Sequence, residues 1–211
     1  MNRPVPPGVA GVVPAAGASR RMGRPKGLLE LGGATFAHRV VRALQDGGCH
    51  PVYVVVDADD EALRGHVADM DVVVLSNPSP GEGPITSLRL ALAAVPEGIE
   101  GVVYLPLDHA LVEGAHVARL LDEARRTKAS LALPVHEGKR GHPAYFARTL
   151  FSELLDPDLE GGARTVVHRY LSDACLVETE DPAVVADIDT PEAYRQALAR
   201  FEAAAAGSPP S

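Results

Sequence analysis

The sequence predicts an α/β fold: a doubly wound, mostly parallel sheet with helices on both faces. Three observations predict it. Short, continuous β-branched runs recur at Val9 to Val13, Val52 to Val56, Val72 to Leu75 and Val102 to Leu105. They are too short for helices and do not alternate with polar residues, which suits strands buried on both faces of a parallel sheet. Between them helical spacing recurs, in Phe36, Val40 and Leu44, in Ile85, Leu88, Leu92 and Val95, and in Val117, Leu120, Leu121 and Ala124. Strands and helices in alternation imply right-handed crossovers, and ligands then bind outside the carboxyl ends of the strands.

The second half of the chain continues less regularly. Leu131 to Val135 reads as a strand, and His136 to His142 as an exposed turn leading into Pro143 to Phe146, together an irregular hairpin or ribbon. Helices are predicted around Ala147 to Leu155 and Ala163 to Leu171, with a strand near Ala174 to Glu178. A last helix runs from Pro191 to Phe201, with Thr190 as its cap and Pro191 in the first turn. One domain is expected over 1–202, with a disordered tail over 203–211.

Composition narrows the function. Hydrophobic residues make up 46% and charged residues 23%, ordinary values for a folded soluble chain. Lys and Arg total 20 against 28 Asp and Glu, a net charge of −8, which offers no field for a long nucleic acid. A single nucleotide needs only local charge, and Arg20, Arg21, Arg24 and Lys26 supply it within seven positions. The two cysteines, Cys49 and Cys175, form no Cys-x-x-Cys pair and read as inert thiols. No stretch approaches the roughly 18 apolar residues of a membrane span, so no membrane partner is expected and the cytoplasm is the expected location.

Three loops follow predicted strands: Pro14 to Lys26, Ser76 to Pro84 and Pro106 to Ala110. The first combines small residues, glycines and cations. Small residues let backbone amides approach phosphate oxygens, and cations neutralise a polyanion, so the loop reads as a phosphate cradle or as a solvated basic loop. It is no Walker A loop, because five residues separate Gly17 from Gly23 and no Gly-Lys-Ser/Thr follows. Gly81-Glu82-Gly83-Pro84-Ile85-Thr86 is no dinucleotide turn either, since Thr86 takes the third glycine's place and Pro84 lacks an amide donor. Asp108 stands three residues beyond its strand, where a carboxylate can bind Mg²⁺ or merely shape a turn. Asp187 and Asp189 share a side if their segment is extended, so either could offer a second metal oxygen; capping explains Asp189-Thr190-Pro191 equally well. His136 and His142, with five residues between them and without a carboxylate or cysteine partner, read as solvent-exposed histidines in preference to zinc ligands. Ser19 has no histidine nearby in sequence and no nucleophile elbow around it.

Ala15-Ala16-Gly17, Ser19, Arg21-Met22-Gly23 and Pro25-Lys26 together resemble the signature of MobA-like nucleotidyltransferases, which have a Rossmann-like fold. The resemblance continues through Asn77, Gly83, Ser87-Leu88, Leu105-Pro106-Leu107-Asp108, Arg140-Gly141-His142-Pro143 and Asp187 to Glu192. It is similar above all to the molybdenum cofactor cytidylyltransferases, because the first loop reads Pro-Ala-Ala-Gly and ends Pro-Lys. One departure is His109-Ala110, where the family usually has proline after one residue.

The resemblance implies a set of roles. Arg21, Lys26 and Asp108 are the catalytic group. Pro14, Ala15, Ala16, Gly17, Ser19, Arg20, Gly23, Asn77, Gly83, Thr86, Ser87 and Pro106 hold the nucleotide. Lys139, Arg140, Gly141 and His142 belong to the acceptor side, with Gly141 allowing close backbone approach, and Asp108 with Asp189 holds Mg²⁺. The implied partners are a nucleoside triphosphate, CTP before GTP, a molybdopterin-type acceptor and a recipient molybdenum enzyme. The expected activity is Mg²⁺-dependent nucleotidyl transfer with release of pyrophosphate. Transfer to a sugar or polyol phosphate, transfer from GTP, and non-catalytic delivery of the cofactor are the alternatives.

Overall fold

The computed structural model describes residues 8–17 and 25–207, the side chains of 202–207 excepted. Its frame is one large sheet of β1 (Gly8–Ala15), β4 (Cys49–Asp57), β5 (Val73–Asn77), β6 (Ile99–Tyr104), β7 (Leu131–His136), β8 (Lys139–Arg140), β9 (Ala144–Ala147) and β10 (Cys175–Glu178). The spatial order is β10-β7-β9-β6-β1-β4-β5, with β8 paired to the edge of β7. β2 (Glu30–Leu31) and β3 (Ala34–Thr35) form a separate hairpin. The helices are α1 (Phe36–Asp46), α2 (Glu61–Val67), α3 (Pro84–Ala94), α4 (Gly114–Thr127), α5 (Phe151–Leu154), α6 (Ala163–Tyr170) and α7 (Pro191–Gly207).

The apolar runs form central strands because both of their faces are covered. In β4, Val52, Val54 and Val56 enter the cluster with α1 and α4, while Tyr53 and Val55 enter the cluster with α3 and α6. Alternate residues of a strand point to opposite faces, so a continuous apolar run serves two cores at once. Capping defines where the helices begin. Thr190 Oγ1 accepts the Ala193 N–H at 3.1 Å at the start of α7, as the sequence predicts, and Thr35 Oγ1, which the sequence reading did not single out, accepts the His38 N–H at 3.3 Å at the start of α1.

Several elements differ from expectation. The β2–β3 hairpin turns on Gly32 and Gly33, with φ of 61° and 79°, a pair only glycine adopts without strain. The helix α2 is too short to show periodicity, and its cap, Asp60 accepting the Leu63 N–H at 2.9 Å, marks it instead. The helix predicted over 147–155 shrinks to a 3₁₀ turn and the single turn α5, because Ala147 remains in β9. The last helix continues to Gly207 where a frayed tail is predicted from Ala203, and the alanines Ala203 to Ala206 have the highest helix propensity of any residue type.

The ribbon of the second half does more than decorate an edge. β9 inserts between β6 and β7, antiparallel to both, with Ala144 opposite Tyr104. An antiparallel strand begins at the edge where its parallel neighbours end, so β9 brings the residues preceding it to the carboxyl edge of the sheet. Close packing enforces the insertion: a Cβ on Gly101 of β6 would lie 2.6 Å from the Tyr145 ring and 2.7 Å from the Phe146 carbonyl oxygen. Gly101→Ala is therefore expected to destabilise the fold by roughly 1–3 kcal/mol through overpacking. Urea unfolding at a common m-value checks it, and a midpoint equal to wild type would disprove the tight β6–β9 contact.

Candidate active site

The loops after β1, β5 and β6 meet at the carboxyl edge of the sheet around a cavity of about 880 Å³, lined among others by Pro14, Ala16, Gly17, Gly83, Pro106 and Asp108. Ala15 faces a smaller adjoining cavity of about 140 Å³, shared with Lys26 and Asp108. At Gly17 an added Cβ would meet no described residue within 4 Å, so none of the described side chains fills the space beside its backbone. Ser19, Arg20, Arg21 and Gly23 lie outside the described residues. Lys26 opens a 3₁₀ turn, Lys26–Leu28.

Lys26, Asp108 and Asp189 meet although they are far apart in the chain. The Lys26 ammonium bonds the Asp189 carboxylate directly and lies 3.6 Å from Asp108 Oδ2. The Ile188 N–H donates to the Asp108 backbone carbonyl at 2.9 Å, which fixes the Asp189 segment against the Asp108 turn. Burial pushes the Asp108 carboxyl above its ordinary pKa, Lys26 opposes that rise and Asp189 adds to it. Asp187 is exposed. The segment 186–189 belongs to no strand, so the rule that puts i and i+2 on one side does not apply, and Asp189 alone of the two joins Asp108.

Asp108 Oδ1 is buried and has no hydrogen-bond partner among the described residues. A hard, orphaned carboxylate oxygen with a second carboxylate nearby suits a divalent cation that takes oxygen ligands. Among the described residues no group of three or more His, Cys, Asp and Glu side chains could hold a metal, so a cation here would need substrate oxygens as well.

The solvent-exposed reading of the histidines fails for His142. Its ring packs against that of His109 with centroids 4.5 Å apart at an interplanar angle of 56°, and its Nδ1 is buried without a partner among the described residues. Burial lowers the His142 pKa to about 4, helped by His109 and opposed by Asp108. Burial likewise lowers His109 to about 4, with Asp189 opposing and Lys26 assisting. His136 is half-buried, its Nδ1 3.0 Å from the Thr179 carbonyl. Tyr104, at the end of β6, also lines the cavity, and burial with the nearby Asp108 charge holds its phenol well above its ordinary pKa.

On the β5 side, Gly83 has a φ of 99° and precedes Pro84, the first residue of α3. Only Gly83 and Ser87 of the predicted residues here line the cavity. Asn77 is buried, donating to Thr86 Oγ1 at 2.8 Å and Ser87 Oγ at 3.0 Å, while its Oδ1 accepts the Ser79 N–H at 2.9 Å. Asn77 and Thr86 thus pin the loop and do not face the cavity.

On the β9 side, Arg140, Gly141 and His142 line the cavity and Lys139 does not, because neighbours on β8 point to opposite sides. Gly141 is glycine for a different reason than acceptor approach. A Cβ there would lie 1.9 Å from the Val184 carbonyl oxygen, which accepts the His142 N–H at 2.8 Å.

The family model described as the MobA-like NTP transferase domain matches residues 11–175, from β1 to the start of β10. The chain belongs to the MobA-like NTP transferase family. It is 31% identical over 201 residues to the probable molybdenum cofactor guanylyltransferase of Mycobacterium avium (strain 104), covering 92% of this chain and 97% of the relative. It is 25% identical over 198 residues to the molybdenum cofactor cytidylyltransferase of Escherichia coli (strain K12), covering 90% and 95%. Among solved structures, the manganese complex of Rv0371c from Mycobacterium tuberculosis H37Rv superposes with a TM-score of 0.75 at 28% identity, covering 92% of this chain and all of that one (100%).

This MobA-like chain has cavity residues that its motifs do not reveal: Tyr104, Gly161, Gly162 and Arg164. Gly161 and Gly162 have φ of 73° and 61° and lead into α6. Two glycines before a helical pattern are a visible turn signal, but nothing local says which edge of the sheet the turn will reach.

The histidine pair gives a pH prediction. A histidine whose folded pKa is lowered contributes stability that is fully present above its unfolded value near 6.5 and is lost as pH falls toward its folded value, about 4 here. Between those limits the unfolded chain binds more protons, so stability falls with acid. Replacing His142 by Gln is expected to flatten the urea midpoint between pH 7 and pH 4.5 relative to wild type. An NMR titration showing His142 ionising near 6.5 in the folded chain would refute its burial.

Proposed function

We propose that this chain moves a nucleoside monophosphate from a nucleoside triphosphate to the phosphate of a molybdopterin-type acceptor, releasing pyrophosphate. One observation carries the reading: Lys26 meets Asp108 and Asp189 beside the Ala15-Ala16-Gly17 backbone, where a triphosphate and its counter-ion need positive charge and hard oxygens together. Asp108 and Asp189 would hold Mg²⁺, which supplies charge neutralisation of the phosphate oxygens when bound.

The protein's own groups position and neutralise. The backbone at Gly17 receives phosphate oxygens, and Lys26, with Arg21, balances the charge that moves to the leaving group. An oxygen of the acceptor phosphate forms a bond to the α-phosphorus as the bond from that phosphorus to the bridging oxygen breaks, and pyrophosphate carries the electron pair away. A phosphate monoester is already ionised near neutral pH, so no strong general base is required. His109 and His142, both held neutral by burial, add no positive charge to compete with Lys26.

CTP is the proposed donor because the first loop reads Pro-Ala-Ala-Gly and ends Pro-Lys. GTP is the second reading, favoured by the similarity to the Mycobacterium avium protein named as a probable guanylyltransferase. Pyrophosphate release measured with each nucleoside triphosphate, Mg²⁺ and either molybdopterin or a sugar phosphate decides among them. Turnover with a sugar phosphate alone removes the pterin acceptor, and binding without release for every pair favours a delivery protein. Lys26→Ala and Asp108→Ala are each expected to lower turnover roughly 10²-fold, the scale of one aimed electrostatic contact. Wild-type rates in folded variants would contradict these roles.

A further inference from the structure

The buried polar side-chain atoms that lack a partner among the described residues are Asp108 Oδ1, His109 Nδ1 and His142 Nδ1. They gather at one place. His109 Nε2 lies 4.0 Å from Asp108 Oδ1, and the His109 and His142 rings are 4.5 Å apart. Folded proteins satisfy nearly all of their buried polar atoms, and leaving one unmet is destabilising. Orphans concentrated beside a cavity therefore mark a surface built to be completed by a ligand.

Tyr104 belongs to this surface. Its ring centroid is 6.0 Å from that of His142, it lines the cavity, and its hydroxyl makes no hydrogen bond to any described residue. The sheet explains which ligand it meets. β6 lies between β1, followed by Ala16 and Gly17 where the reading above puts the triphosphate, and β9, whose preceding residues Arg140 to His142 line the same cavity. Tyr104 stands in register with Val12 on one side and Ala144 on the other, and it lines the cavity together with Ala16 and Gly17 and with Arg140 to His142. An apolar residue would fill this position beside Phe146 and Leu133 as well, and the hydroxyl adds a neutral donor suited to a phosphate oxygen.

We propose that the Tyr104 hydroxyl is a substrate contact, donating a hydrogen bond to the acceptor's phosphate and orienting the oxygen that attacks. The inference rests on the acceptor reading above and adds a residue outside the family signature.

The test is Tyr104→Phe in the full chain, with three measurements. Calorimetric titration with molybdopterin, which needs no turnover, is expected to show roughly tenfold weaker binding, and the acceptor KM should rise by a similar factor, the scale of one hydrogen bond to a charged group. The KM for the nucleoside triphosphate should not move. The thermal midpoint should stay at or above wild type, because the variant removes a hydroxyl that no described residue satisfies; a tyrosine with only a structural role would lower it. Equal molybdopterin affinity in wild type and variant, or a shift in the nucleotide KM instead, overturns the tyrosine's role and leaves the acceptor reading intact. Failure of the wild-type chain both to bind molybdopterin and to release pyrophosphate with it overturns both.

Discussion

Strands that run the same way deliver their carboxyl ends to one edge, and the candidate site depends on that constraint. β1, β4, β5 and β6 are parallel, so the loops after β1, β5 and β6 gather without any of them having to cross the sheet. The apolar runs that make these strands central leave polar residues only where the strands end. Asp108 and Lys26 stand just past that limit, at the boundary between a closed interior and a cavity. β9 uses the same constraint in reverse. Running against its neighbours, it begins where they finish, and so Arg140, Gly141 and His142 line the same cavity as Ala16 and Gly17 after β1.

Burial is the largest influence on the Asp108 carboxyl and raises its pKa, the neighbouring Asp189 charge adds to the rise, and the Lys26 ammonium opposes it without cancelling it. The neighbouring imidazoles are kept neutral, so the positive charge stays on Lys26 among the described residues here. A cluster with unmet polar atoms does not maximise stability, and sites that bind charged ligands commonly accept that loss. The partners of a single buried asparagine, Asn77, show the opposite design. Both polar atoms of its amide are met, by Ser79, Thr86 and Ser87, and these bonds tie the loop to the first turn of α3.

Glycines mark where this architecture tolerates no side chain. Gly101 admits Tyr145, Gly141 admits the Val184 carbonyl, and Gly83 takes the positive φ that leads into α3. Gly141 is instructive because it belongs to a motif beside the acceptor wall and yet serves packing. Its closest neighbour is protein backbone, and its contribution to the site is to let His142 take its place.

Local information in the sequence determined much of this. The continuous apolar runs, the helical spacing and the Thr190 cap indicated the parallel strands of the first half, most helices and the layering, because each rests on residues a few positions apart. The residue types around Pro14 to Lys26 and at Asp108 allowed a phosphate cradle and a metal carboxylate, and the family resemblance proposed those roles. What tertiary structure alone decided was proximity over long separations: that Asp189 and not Asp187 meets Lys26, that His142 is buried against His109, that Asn77 and Thr86 turn inward, and that Tyr104 and the Gly161-Gly162 turn reach the cavity. These depend on where an inserted antiparallel strand and an irregular segment pass relative to the sheet. No periodicity encodes that path, since it is set by the packing of whole elements against one another.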